Sequence, residues 1–228
     1  MKRNYLVVIL FVFLIVSKLF GQNAVLPLGS GTEADPYQIE NIENLFWMNQ
    51  NANEWDKYYI QVANIDATET IDWDNGAGWS PIGNYTTFFS GYYDGQNYTI
   101  NGLYIRRPES DLIGFLGYVF FSYNSGAHIK NIRLESVNVL GNNHVGALIG
   151  ECIGNDEIEV SNCSAEGSVT GNDYIGGLIG KNGTSLLNTY YIGDVKGNDY
   201  VGGLVGSNKI SLIKDSYTDV NIIGNDRV

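Results

Sequence analysis

The chain has 228 residues, 44% of them hydrophobic and 17% charged, which is enough apolar material for a sizeable core and too much for a disordered chain. Its formal net charge of −12 argues against nucleic acid and anionic membrane surfaces as partners, because a polyanion would be repelled. With 28 glycines and 16 tyrosines against 4 prolines, the composition favours short strands and tight turns over long helices.

In chain order, Lys2 and Arg3 precede an apolar run from Tyr5 to Val16, and the small residue Gly21 stands before Gln22. That pattern reads as a secretory signal peptide over 1–21. The 12-residue run is short of the roughly 18–20 that span a bilayer, so no membrane span is expected after signal removal.

Residues 22–57 are read as an N-terminal cap. Ile42, Leu45, Phe46 and Asn49 fall at i, i+3, i+4 and i+7, and Asn41 can cap the first turn, which predicts a helix at about 42–50. Trp47 and Met48 are expected to pack on the end of the domain.

From 58 to 140 the pattern becomes irregular strand and turn. YYIQVANID (58–66) alternates, and FFSGYYDGQNYTINGLYI (88–105) carries Asp94-Gly95 and Asn101-Gly102 as turn punctuation. LIGFLG (112–117) reads as a worn copy of the later VGGLVG (201–206).

The segment 141–228 writes one pattern repeatedly: GNNHVGALIG (141–150), GNDYIGGLIG (171–180), GNDYVGGLVG (197–206) and GNDRV (224–228). A period of this size marks stacked coils, each leaving an apolar side open until its neighbour covers it. Val145, Ile175 and Val201 are predicted to point inward with Leu148, Leu178 and Leu204. Gly146, Gly176 and Gly202 are predicted to allow a close backbone approach. The Asn-Asn or Asn-Asp pair opening each copy suits a left-handed or Asx turn. Cys163 occupies the slot of Thr189 and Ser216, a place for a small side chain; a disulfide to Cys152 is permitted by export and left open by the sequence.

VGALIG (145–150), IGGLIG (175–180) and VGGLVG (201–206) resemble the GLUG repeat of bacterial surface proteins. Gly177-Leu178-Ile179-Gly180 and Gly203-Leu204-Val205-Gly206 match it in full, while Ala147 departs from its first glycine. The resemblance implies a parallel β-solenoid of adhesin-like proteins and of the non-catalytic parts of immunoglobulin A-cleaving peptidases, and no single reaction.

β-Helices also host polysaccharide-cleaving enzymes, so chemistry is judged on residues. Asp66, Asp72, Asp74 and Asp94 supply candidate carboxylates for a glycosidase, but Asp94 precedes Gly95, and Asp72 and Asp74 lie beside Asn75-Gly76, all read as solvated turns. Arg106-Arg107 before Pro108 reads as an exposed loop. His144 shares its slot with Tyr174, Tyr200 and Arg227, and His128 stands alone, so no triad is supported. Asp173, Asp199 and Asp226 are expected to stack in a column above Asn143, facing water or taking up Ca²⁺. Tyr174, Tyr200, Tyr190, Tyr191 and Tyr217 are read as an outer aromatic ladder or as half-buried strand residues.

Together these observations predict an all-β fold, a right-handed parallel β-helix (β-solenoid) with a short N-terminal helical cap. The expected role is a secreted or cell-surface scaffold without catalytic, cofactor-binding or metal residues, binding a glycan or a host or cell-surface protein. The alternative is a fragment of a carbohydrate-active or peptidase surface enzyme, since the chain stops within GNDRV where VGGLVG would follow.

Overall fold

The structure, a computed structural model, describes residues 22–121, 128–154, 159–209 and 211–228. The signal-peptide reading of 1–21 lies outside these residues. The chain winds as a parallel β-solenoid, each short strand pairing with its counterpart one coil away. The first sheet stacks Tyr37–Ile39, Tyr58–Gln61, Tyr92–Asp94, Ile129–Lys130, Glu159–Ser161, Ser185–Leu187 and Ile213–Lys214. The second stacks Leu116–Phe120, Ile149–Ile153, Ile179–Gly183 and Val205–Asn208. The third runs through Ile65–Asp66, Thr99–Asn101, Arg133–Leu140, Ser164–Thr170, Tyr190–Lys196 and Tyr217–Ile223, with Tyr104–Arg106 paired beside Arg133–Leu140. A two-stranded sheet, Asp173–Gly176 with Asp199–Gly202, closes the regular coils.

Like stacks on like because the repeat places equivalent residues in register. The Leu148 amide donates to the Leu178 carbonyl at 3.0 Å, and that of Leu178 to Leu204 at 3.0 Å. Leu148 and Leu178 are fully buried, with Leu204 packed half-buried against the same core. Val145, Ile175 and Val201 form the row beside them. The worn copy joins this row through Ile113, paired with Val145, but it is one residue short, so that Leu116 pairs with Ile149.

The glycines of the motif let the chain turn against itself. A Cβ on Gly176 would stand 2.0 Å from the Ile179 carbonyl oxygen, and on Gly202 2.1 Å from that of Val205. No side chain can occupy that space without moving the backbone.

One expectation is corrected. The left-handed residue of each repeat is not in the Asn-Asn or Asn-Asp pair but follows it: His144, Tyr174, Tyr200 and Arg227 have φ of 53°, 61°, 54° and 48°. A side chain there costs about 1–2 kcal/mol. The neighbours stack on one another, Tyr174 on Tyr200 at 4.6 Å and 11°, which offsets about 0.5–1.5 kcal/mol of it.

The helix runs Ile42–Gln50, and the Asn41 side chain accepts from the Asn44 amide at 2.9 Å. Ile42, Leu45 and Met48 are buried in the core, so Met48 rather than Asn49 completes the inner stripe. Trp47 packs on Tyr37 and Phe46 on Trp73, fastening the helix over the first coils. Both cysteines are free and buried, Cys152 beside the Thr184 hydroxyl and Cys163 over the Ser161 carbonyl.

Candidate functional site

On the outer face of the first sheet, alternate residues of consecutive coils form a groove of about 510 Å³. The alternation of a strand explains it: Tyr59 and Tyr93 point inward and are fully buried, so Tyr58 and Tyr92 point out. Their rings stack at 5.5 Å and 29°. His128, one coil on, meets the Tyr92 ring edge-on at 6.1 Å, and Glu33, Ile60 and Gln96 complete the walls.

Asp94 forms the polar floor and is not the solvated turn residue expected. It is 5% exposed. Its carboxylate accepts from the Gln96 amide at 2.9 Å, the Gln96 side chain at 2.8 Å and Asn131 Nδ2 at 2.8 Å, and pairs with Lys130 Nζ at 3.4 Å. Four donors hold the side chain in place. Lys130 lies over the Tyr92 ring at 5.3 Å and is pushed above the usual lysine range by its bond to Tyr92 first, with Asp94 adding to the effect against burial.

The other candidate acids lie elsewhere. Asp66 accepts from the Thr68 amide and hydroxyl, bonds that hold it below the usual carboxylate range, in a shallow groove with Glu135. Asp74 pairs with Arg107 at 2.8 Å, and Asp72 is exposed. Arg107 is not loop decoration: it donates to the Trp79 and Gly78 carbonyls and clamps the segment before Ser80. Asp66, Asp74 and Asp94 line three different depressions, so the four candidates do not converge.

His144 stands 3.2 Å from the Glu151 carboxylate, which also takes Lys181 at 2.8 Å and the Tyr85 hydroxyl at 3.0 Å. Burial opposes ionisation of Glu151, but hydrogen bonds and charge from His144 and Lys181 outweigh it and bring the carboxyl down to about 2. This cluster straps Tyr85 onto the second sheet.

The column of Asp173, Asp199 and Asp226 does form. Each carboxylate has a protein donor: Asn198 Nδ2 donates to Asp173 at 3.2 Å, Arg227 pairs with Asp199 at 2.7 Å, and the Arg227 amide donates to Asp226 at 2.9 Å. Among the described residues no group of three or more His, Cys, Asp or Glu is placed to hold a metal ion. The five tyrosines do not make one ladder. Tyr174–Tyr200 and Tyr190–Tyr217 stack as separate pairs, and Tyr191 is fully buried. Sequence reasoning missed Tyr58 and Tyr92, although the doublets Tyr58-Tyr59 and Tyr92-Tyr93 announce the same strand written twice.

No family model matches the chain. Over 150 residues, 65% of the chain, it is 34% identical to halomucin of Haloquadratum walsbyi, of which that stretch makes up 2%. Over 163 residues, 69% of the chain, it is 32% identical to a "Putative Gly-rich membrane protein" of Evansella cellulosilytica, covering 18% of it. The chain therefore spans less than a fifth of either relative. A Bacteroides ovatus crystal structure, of a "putative immunoglobulin A1 protease", aligns with 86% of this chain and 69% of its own at a TM-score of 0.59 and 18% identity. At that identity the likeness establishes the shared β-solenoid fold.

Proposed function

We propose that this chain is a cell-surface scaffold that binds a glycan, without cleaving it, in the groove over Tyr58 and Tyr92. The observation that carries the reading is the half-buried, stacked tyrosine pair at the floor of a groove of about 510 Å³. Sugar rings present apolar C–H faces between hydroxyls, and an aromatic surface ringed by fixed polar groups suits both. Gln96, His128 and Glu33 supply those groups, while Asp94 is held as a rigid acceptor.

The surface location is supported by the resemblance of Gly177–Gly180 and Gly203–Gly206 to GLUG repeats, by the reading of 1–21 as an export signal, and by a relative described as a membrane protein. Printed glycans should capture the protein, and Tyr58→Ala and Tyr92→Ala should each lower capture about tenfold while leaving the thermal midpoint within a few degrees. Equal capture by all three proteins would overturn the assignment to this groove.

A further inference from the structure

The groove over Tyr58 and Tyr92 ends at the Asp94–Asn97 turn, and a second groove of about 390 Å³ begins on the other side of it. Gln96 lines the first and its neighbour Asn97 the second. Asn131 joins them, donating to Asp94 while lining the second groove.

The floor of this second groove is a row of side-chain amides. Asn131, Asn162 and Asn188 occupy the same corner of successive coils, with φ of 57°, 52° and 52°, a left-handed conformation that Asn tolerates better than most residues. Asn162 Nδ2 donates to Asn131 Oδ1 at 3.2 Å, and Asn188 Nδ2 to Asn162 Oδ1 at 2.7 Å. Each amide carries two N–H donors; Asn162 and Asn188 each use one in the ladder, and Asn131 uses one on Asp94. The second donor of each is left for a ligand, repeated at the coil spacing of about 4.8 Å. The facing wall is Arg133, Ser164 and Tyr190, and the Arg133 charge is already met by Glu135 at 3.1 Å.

We propose that the two grooves are one site, and that its ligand is an extended, uncharged oligosaccharide that stacks on Tyr58 and Tyr92 and continues along the amide row past Asn162 to Asn188. This rests on the glycan reading above and deepens it to a chain of several neutral sugars. The row offers amide and hydroxyl groups for sugar hydroxyls, and its only charged side chain is neutralised. A peptide strand finds no place to add, because Ser164–Thr170 is already paired on both edges.

The test is calorimetric titration of the chain with cello-, xylo-, manno- and laminari-oligosaccharides from disaccharide to octasaccharide. Affinity should rise about tenfold as the ligand grows beyond the first groove, and salt at about 0.5 M should leave it unchanged, as befits an uncharged ligand. Asn188→Gly and Asn162→Gly keep the left-handed backbone and remove the amide; both should return long ligands to the affinity of short ones. Each variant should also keep its thermal midpoint within a few degrees of the parent's, which separates loss of recognition from loss of fold. Long ligands that bind no tighter than short ones, or variants that retain the gain, overturn the extension alone, provided short ligands still bind and Tyr92→Ala weakens them about tenfold. If no member of any series binds, the glycan reading falls and the extension with it.

Discussion

The ring of Tyr191 occupies the space that a Cβ on Gly177 would need: the built position lies 2.2 Å from Tyr191 Cδ1. The pair explains the one departure from the glycine pattern in the array. Ala147 pairs in the coil before Gly177, and there Ala165 stands in the position that Tyr191 takes one coil later. A smaller residue opposite leaves room for the extra methyl.

Gly177→Ala should therefore destabilise the fold by about 1–3 kcal/mol, the usual range for overpacking a filled core. In a Tyr191→Ala background the same change should cost less, though not zero, since the Gly203 carbonyl oxygen also lies 2.3 Å from the built Cβ. Denaturant unfolding of the four proteins gives the coupling.

Acid should loosen the strap at Tyr85. The Glu151 carboxyl is lowered to about 2, against about 4.3 unperturbed, so its contribution is complete above the unperturbed value and is lost as pH falls from there through about 2. For a carboxylate 2% exposed the loss is of order 1–3 kcal/mol. Glu151→Gln should be less stable at neutral pH and should lose less between pH 5 and 2, as measured by unfolding midpoints across that range.

Neither thiol should react while the chain is folded. Burial pushes Cys152 and Cys163 up to about 12, removing the thiolate and access together. Maleimide should label neither in native buffer and both in denaturant without reductant. Labelling only after reduction would show a disulfide that the free, separately bonded thiols contradict.

Removing the Tyr200 ring should weaken the outer stack. Tyr200 lies between Tyr174 at 4.6 Å and the Arg227 guanidinium at 4.6 Å, and its φ of 54° is relieved by glycine. Tyr200→Gly thus trades strain for lost stacking and should change stability by less than about 1 kcal/mol, whereas Tyr200→Ala keeps the strain and should cost more than the glycine variant. Thermal unfolding of the two side by side checks the order.

The coil stacking was legible because one short string recurs: Leu148, Leu178 and Leu204 carry the same neighbours in sequence and so meet the same neighbours in space. The left-handed position was misplaced because turn statistics favour Asn and Asp, while here stacking between coils keeps His144, Tyr174 and Tyr200 in a conformation that their own backbones disfavour. The sequence leaves Tyr191 open between an outer ladder and a half-buried strand surface, since a tyrosine alone does not say which side of a strand it takes; its register with Ala165 and Thr218 does. The groove was hidden for a related reason. Its residues come from separate coils of irregular length, and only pairing brings Tyr58 beside Tyr92 and Lys130 beside Asp94. Asp94 looked like a surface turn because the donors that bury it, Asn131 and Lys130, lie more than thirty residues along the chain.

Binding without cleavage is tested most directly by titrating the chain with the best glycan from a printed array and weighing the recovered ligand by mass spectrometry. The expected result is saturable binding that Tyr92→Ala weakens about tenfold and a ligand returned at its original mass. Binding untouched by Tyr92→Ala, or a ligand returned in shorter pieces, would contradict it.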